Sequence, residues 1–303
     1  MNIVVCVKLV PDTHVPLEID SQSGTINSDD LVYIINPIDR AAVEEAVRLK
    51  EEGLATQVTL VCMGSAAAVR GLRGCLALGA DKAILLNDPA FKDSDSYATA
   101  AVLSKAISSL PYDLILCGTR AADTNAGLVG AVIAETLGIP LVSEVARIDA
   151  ADRSKLTVQR KLEKGNREIV EVALPALLTV EIEVPQPRYA SLPALMAAQV
   201  KEIEEFDLKA LGLSSPEVGL QGAKIQTLRF SPPKPRRKKL FTPDVGLSAV
   251  QRIGMIMTGG ITEKKTEFLE GEPEKIAATL LQFLTQQKLL KTDTTGTQKR
   301  HDS

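Results

Sequence analysis

Residues 113–130 read Asp113-Leu114-Ile115-Leu116-Cys117-Gly118-Thr119-Arg120-Ala121-Ala122-Asp123-Thr124-Asn125-Ala126-Gly127-Leu128-Val129-Gly130. A short apolar run ends at a glycine, a turn of small and polar residues follows, and a helix-period segment runs from Asn125 to Leu137. This is the layout of a buried strand that turns directly into a helix. Asp123, Thr124 or Asn125 is placed to cap that helix. Exposed amides at such a helix start form an anion site for phosphate or pyrophosphate. Small residues at the same place also permit close helix–sheet packing, so the pattern alone leaves both readings open.

The same unit recurs on both sides. Ile3–Val10, Gln57–Cys62 and Ala83–Leu86 read as strands, and Pro37–Glu52, Ala66–Leu78 and Ser96–Leu110 as helices between them. Alternation at this spacing predicts a mostly parallel, twisted α/β sheet flanked by helices, a Rossmann-like architecture with right-handed crossovers. Val145–Asp149, Leu156–Leu162 and Glu168–Val172 break the rhythm, and their polar–apolar alternation around Lys164-Gly165-Asn166 predicts a small antiparallel insertion with a tight turn. Ala176–Ile182 is a last buried strand.

The chain has 303 residues, enough for one large domain or one domain with an arm. Aromatics make up only 3% with no Trp, so the core must be built from Ala, Val, Ile and Leu, which suits a parallel sheet covered on both faces. A formal net charge of −3 gives no reason to expect nucleic acid or an anionic membrane as partner. No apolar run approaches a membrane span, and the N-terminus opens on a strand without a signal-peptide layout. Cys6, Cys62, Cys75 and Cys117 show no paired spacing, and a reduced, cytoplasmic setting is expected.

No catalytic constellation is evident. The two histidines are His14 and His301, no nucleophile has a base near it in sequence, and metal-ligand spacings are absent. The chain reads as a binding scaffold whose redox chemistry, if any, belongs to a cofactor. Ligands of open α/β sheets bind at the carboxyl ends of the strands. Three segments converge there: Lys8-Leu9-Val10-Pro11-Asp12-Thr13, Cys62-Met63-Gly64-Ser65, and the Gly118–Gly130 turn. Gly127 with Ala126 leaves room for a pyrophosphate, and Gly130 lets the helix approach the sheet.

Residues 183–203 carry a different signal. Prolines at 187 and 193 bracket Arg188-Tyr189-Ala190-Ser191-Leu192, so Leu192 should stand out on a stiff loop before a helix resumes. Beyond Lys201 the composition changes. An acidic stretch gives way to a basic run, Ser231-Pro232-Pro233-Lys234-Pro235-Arg236-Arg237-Lys238-Lys239, which reads as a solvated arm. Ala277–Leu290 is again helical with an apolar stripe that needs a surface to lie on.

Pro187, Arg188, Tyr189, Ser191, Leu192, Pro193 and Met196 resemble the signature loop of the electron transfer flavoprotein β subunit. The resemblance extends through the Ile3–Lys8 strand, Asn36-Pro37 with Ala42–Glu51, Ala77–Asp81, Asp113–Gly118 and Leu174–Val180, in order, to about residue 213. It implies a nucleotide-binding domain over residues 1–200 that includes a docking loop at 185–196. Residues 201–303 would form an arm and helix packed on an α subunit, frayed from about 291. The site would be lined by Cys6, Lys8, Asp12, Thr13, Asn36, Ile38, Asp39, Met63, Gly64, Arg120 and Asp123, Thr124, Asn125, Ala126, Gly127, Leu128 and Val129. Docking would fall to Arg188, Tyr189, Leu192, Pro193 and Met196.

Val10-Pro11-Asp12-Thr13 and Ala90-Phe91 with Asp95 and Tyr97-Ala98-Thr99 resemble the electron-bifurcating branch. There the β site holds FAD reduced by NADH, with electrons passed to ferredoxin and to an acyl-CoA dehydrogenase-type flavoenzyme. The alternative within the family is an ordinary electron carrier with structural AMP. The alternative outside it is an adenine-nucleotide-binding sensor on a similar fold, although a P-loop and a Ser-Gly-Gly-x-Asp-Ser loop are both absent. Arg120, Thr124, Asn125 and Leu128 stand where many members carry Gln, Gly, Asp and Gln. Ala197-Ala198-Gln199-Val200 replaces a lysine cluster after the loop, pointing to a narrower partner than a promiscuous, charge-steered surface would serve.

Overall fold

The computed structural model describes residues 1–15, 31–152, 154–181, 183, 187–226, 228, 243, 246–257 and 271–287. The chain divides into two compact units, Met1–Pro233 and Lys234–Ser303. The basic run from Ser231 and the tail from Lys291 lie outside the described residues.

The first unit begins with β1 (Asn2–Cys6), β2 (Leu9–Pro11), β3 (Tyr33–Ile35), α1 (Pro37–Glu51), β4 (Gln57–Met63), α2 (Ala68–Leu78), β5 (Lys82–Leu86), α3 (Ser96–Ser108), β6 (Leu114–Gly118) and α4 (Val129–Leu137). It continues with β7 (Leu141–Ala151), β8 (Lys155–Lys161), β9 (Arg167–Ala173), β10 (Ala176–Val180), α5 (Leu192–Val200), β11 (Ile203–Phe206) and α6 (Gly219–Gly222). The main sheet has nine strands in the order β11-β5-β4-β1-β6-β10-β7-β8-β9. Every pairing from β11 to β7 is parallel; β7–β8 and β8–β9 are antiparallel. The expected α/β sheet is therefore present, and the antiparallel segment continues its edge.

Strand alternation sorts the core into two layers. Ile3, Val5 and Val7 face one layer with Leu49, Leu60, Leu72 and Leu116, whereas Val4 and Cys6 face the other with Ile84, Ile107, Ile115 and Ile133. Both faces are covered, so the central strands are apolar throughout, as in other buried parallel sheets. All four cysteines are buried, and burial pushes the Cys62 and Cys75 thiols up to about 12. They serve as small hydrophobes.

Several boundaries differ from expectation, β7 among them, which runs Leu141–Ala151 where Val145–Asp149 was expected, and two have a clear cause. The single strand expected over Ile3–Val10 is two, because the Lys8 amide leaves the ladder to donate to Asp39 Oδ2 at 2.8 Å and β2 turns away to pair with β3. The helix expected from Asn125 starts at Val129, because Asn125 (φ 52°) and Gly127 (φ 63°) are left-handed and cannot be helical.

The second unit contains α7 (Ala249–Met257) and α8 (Pro273–Gln286), neither with a buried residue. Leu280, Leu281 and Phe283 are exposed on α8. The end of the helix expected over Ala277–Leu290 lies outside the described residues. No helix among the described residues is long and apolar enough to cross a membrane.

Gly130 sets the distance of α4 from the sheet: a Cβ there would lie 2.7 Å from Thr179 Cγ2 and 3.4 Å from Leu177 Cδ2. Gly130→Ala should lower stability by about 1–3 kcal/mol, less a gain of up to ~1 kcal/mol in helix propensity. Adding Thr179→Ser, which removes the obstructing methyl and keeps the hydroxyl that accepts from the Glu144 amide, should recover most of the loss. Urea denaturation of the single and double variants measures both.

Candidate functional site

Parallel strands deliver β1, β4, β6 and β10 to one sheet edge, each ending in a loop whose amides have no further ladder partner. Asp39, in the first turn of α1, sits under two of these ends. Its Oδ2 accepts from the Lys8 amide at 2.8 Å and its Oδ1 from the Gly118 amide at 3.1 Å, joining the end of β1 to that of β6. The approach requires a glycine, since a Cβ at 118 would collide with Asp39 Oδ1 and lie 3.2 Å from the Asp39 amide nitrogen. Burial dominates the Asp39 carboxyl and raises it to about 7, against the opposing pull of the Asn36 amide and the two backbone donors.

Asn36, immediately before α1 and also buried, acts on the next loop. Its Nδ2 donates to the Arg120 carbonyl at 3.0 Å and its Oδ1 accepts from the Ala122 amide at 3.1 Å, so one side-chain amide satisfies both sides of the turn after β6. Residues 122–128 are exposed beyond this grip. Asn125 donates its amide to Ala121 O at 2.8 Å, Thr124 donates to Asp123 Oδ1 at 2.7 Å, and Lys8 Nζ pairs with Asp123 Oδ2 at 2.6 Å. Arg120 is half exposed, with Nη2 3.7 Å from Glu181 Oε1.

The helix that follows is capped by Leu128, which supplies no side-chain hydrogen bond. Asp123, Thr124 and Asn125 therefore form the approach and not the cap. The start of α4 is left without a side-chain acceptor, and at Gly127 an added Cβ would touch Thr119 O at 3.4 Å. An exposed, glycine-containing approach to an uncapped helix start, with Lys8 and Arg120 beside it, fits a phosphate-bearing ligand.

Lys8, Asn36, Asp39, Arg120 and Asp123 are thus joined by direct contacts. Cys6 lies at the end of β1 on the side of α4, in the same core layer as Cys117, whose thiol is raised well above its ordinary range by the hydrogen bond it donates to Cys6 and by burial. Met63 closes β4, Gly64 donates to Leu86 O, and Ile38 lies against Gly118. Asp12 and Thr13 follow β2. The Asp12 amide donates to Val32 O, its carbonyl accepts from the Val15 amide, and the His14 amide and ring nitrogen hold its carboxyl below the usual range.

The second surface is α5. Ala198 is buried, and Ala190 and Ala194 pack against the same core layer. The opposite face carries Leu192 (70% exposed), Met196 (65%) and Val200 (86%), with Tyr189 (94%) just before it. The helix is apolar on both faces, with its small residues inward and its large ones outward. Ser191 caps it, accepting from the Ala194 amide at 3.4 Å, and Pro193 occupies its first turn.

Three groups escaped sequence reasoning. Glu44 and Glu51 of α1 hold Arg188, and Arg73 of α2 holds the end of α5. None has a local signal, since each partner is more than a hundred residues away.

A profile of the electron transfer flavoprotein domain matches residues 23–211. Among curated proteins, electron transfer flavoprotein subunit beta of Thermoanaerobacterium thermosaccharolyticum is 39% identical over 271 residues, 89% of this chain and 97% of that protein. Caffeyl-CoA reductase-Etf complex subunit CarD of Acetobacterium woodii is 40% identical over 77% of this chain and 88% of its own length. Protein FixA of Azotobacter vinelandii is 37% identical over 79% and 86% respectively.

Asp39 makes the site pH-sensitive in a defined direction. Its carboxyl titrates about 7 when folded, against an ordinary 3.8, so between these values the native state retains a proton that the unfolded chain releases. Its contribution to stability therefore falls as pH rises from about 4 to about 7 and is flat above. Asp39→Asn should remove this slope. It should also cost about 1–3 kcal/mol at pH 5, because the new amide turns a donor toward a backbone N–H. Urea midpoints of both proteins at pH 5 and pH 8 measure the two effects.

Proposed function

Because the chain belongs to the electron transfer flavoprotein β-subunit family, we propose that it pairs with an α subunit and holds FAD at the carboxyl edge of its sheet. We further propose that it takes electrons from NADH and passes them toward ferredoxin and an acyl-CoA dehydrogenase-type flavoenzyme. The observation that carries the docking part is the outward apolar face of α5. Large exposed apolar side chains in a row mark a surface that a partner covers, and a proline-stiffened knob such as Leu192 suits an anchor in a partner pocket. The name of the caffeyl-CoA reductase-Etf complex subunit supports a partner that handles CoA thioesters.

Several residues at the nucleotide site have a role in this reading. Asp39 keeps the ends of β1 and β6 together, and Asn36 fixes the backbone of the turn after β6. The amides beyond it, at the uncapped start of α4, receive phosphate. Lys8 and Arg120 supply cationic charge, Lys8 exchanging its Asp123 partner for a phosphate oxygen and Arg120 remaining beside Glu181. When bound, FAD supplies acceptance of hydride from NADH and onward release of single electrons, and the chain binds and orients it. Thr13, small where an aromatic would fill space, favours the larger ligand over AMP.

Nucleotide extraction from the intact heterodimer, followed by NADH titration, tests the cofactor. Two FAD per heterodimer with flavin bleaching by NADH is the expected result; one FAD and one AMP without a response to NADH would replace this reading with that of a plain electron carrier. Docking is tested separately. Leu192→Ala should slow electron exchange with the dehydrogenase at sub-saturating partner, by an amount equivalent to about 1–3 kcal/mol of contact energy, with the flavin spectrum unchanged.

A further inference from the structure

The inward face of α5 consists of alanines, so apolar burial alone holds this nine-residue helix weakly. Two arginines complete its attachment. At its approach, Arg188 Nε donates to Glu44 Oε1 at 2.8 Å and the Arg188 amide donates to Glu44 Oε2 at 3.1 Å. The other two guanidinium nitrogens donate to Glu51 Oε1 and Oε2 at 2.5 and 2.8 Å. The Glu44 side chain is only 6% exposed, so this half of the fork lies out of water, where removing one partner costs most. At the far end, α5 runs into Lys201 in extended conformation. Arg73 Nη1 donates to the carbonyls of Ala198 (2.7 Å), Gln199 and Lys201 (3.2 Å), filling acceptors that a helix end leaves open. Lys201 Nζ in turn donates to Ala80 O at 2.8 Å.

We propose that Arg188 and Arg73 are positioning residues for partner docking: they pin the two ends of the 188–201 segment to α1 and α2 so that Tyr189, Leu192, Met196 and Val200 are presented outward in a fixed arrangement. This rests on the reading of that segment as the docking face. A preset face enters the complex without first ordering its own backbone, so the loss of either clamp weakens association and leaves the electron-transfer step itself intact.

The experiment uses the complete heterodimer and, as probe, a purified acyl-CoA dehydrogenase that exchanges electrons with the wild-type protein. Arg188→Ala and Arg73→Ala should each raise the KM for the dehydrogenase on the order of 10-fold, a loss that leaves kcat in place. Flavin content and visible spectrum should stay at wild-type values and amide exchange over 194–198 should quicken, while the urea midpoint of Arg188→Ala should fall because the buried Glu44 loses its partner. Arg188→Lys, which retains charge without the fork, should recover part of the KM. Glu44→Gln should add little to Arg188→Ala, because both remove the same contact. An unchanged KM in Arg188→Ala and Arg73→Ala, with a raised KM in Leu192→Ala, overturns the positioning role and leaves the docking face standing. An unchanged KM in all three overturns both. A KM rise accompanied by lost flavin overturns the proposal, and Glu51→Gln, which disturbs only the exposed half of the fork, should raise KM with the urea midpoint unchanged; an unchanged KM there overturns the role of the fork.

Discussion

The grip of Asp39 on the Lys8 and Gly118 amides is the constraint on which the rest of the site depends. A parallel sheet ends in loops whose amides have lost their ladder partners, and the apolar layers above and below offer them nothing. One buried carboxylate, delivered by the first turn of α1, satisfies two such amides on adjacent strands at once. It does so at a cost in desolvation that shows in its raised titration, and it excludes any residue but glycine at 118. Asn36, one turn earlier, continues the same logic with a neutral amide. With the ends of β1 and β6 tied, the exposed turn beyond them has a fixed base from which its own amides can face outward.

The same helix serves the other surface. Asn36 and Asp39 act at its start, while Glu44 and Glu51 act along its body on Arg188. α1 is therefore a common beam between the nucleotide edge and the outward face of α5. Two of its acidic residues, Glu44 and Glu45, are buried, each engaged by an arginine. Charge on this helix serves attachment as well as solubility.

Local patterning carried the fold a long way. Strand–helix alternation located α1 to α4 and the parallel strands between them, because a sheet covered on both faces leaves continuous apolar runs and helices leave a clear 3.6-residue period. The close approach at Gly130 and the outward Leu192 were also legible, since glycine and proline constrain their own backbone. What escaped was non-local or conformationally subtle. Asn125 and Gly127 in left-handed conformation delayed α4 to Val129, and nothing in a run of small polar residues distinguishes that from a helix start. The break between β1 and β2 follows from a carboxylate thirty-one residues away. The arginine clamps on α5 join residues separated by 125 to 144 positions, and no periodicity records such a pair.

The strand order has a consequence for how the molecule is assembled. β10 lies between β6 and β7, yet it is made after both, and after the whole β7–β8–β9 meander. Until it arrives, β6 and β7 have no common neighbour, and the meander is a free-standing antiparallel ribbon beside an incomplete sheet. Its insertion supplies parallel partners on both sides, Leu114–Gly118 and Leu141–Val145, in one step. Thr179, on this strand, faces Gly130 of α4 and accepts the amide of Glu144, so the same event seats the helix behind the candidate phosphate site. Completion of the sheet and completion of the ligand edge are one closure, and a nascent chain that has not yet emerged past Val180 possesses neither.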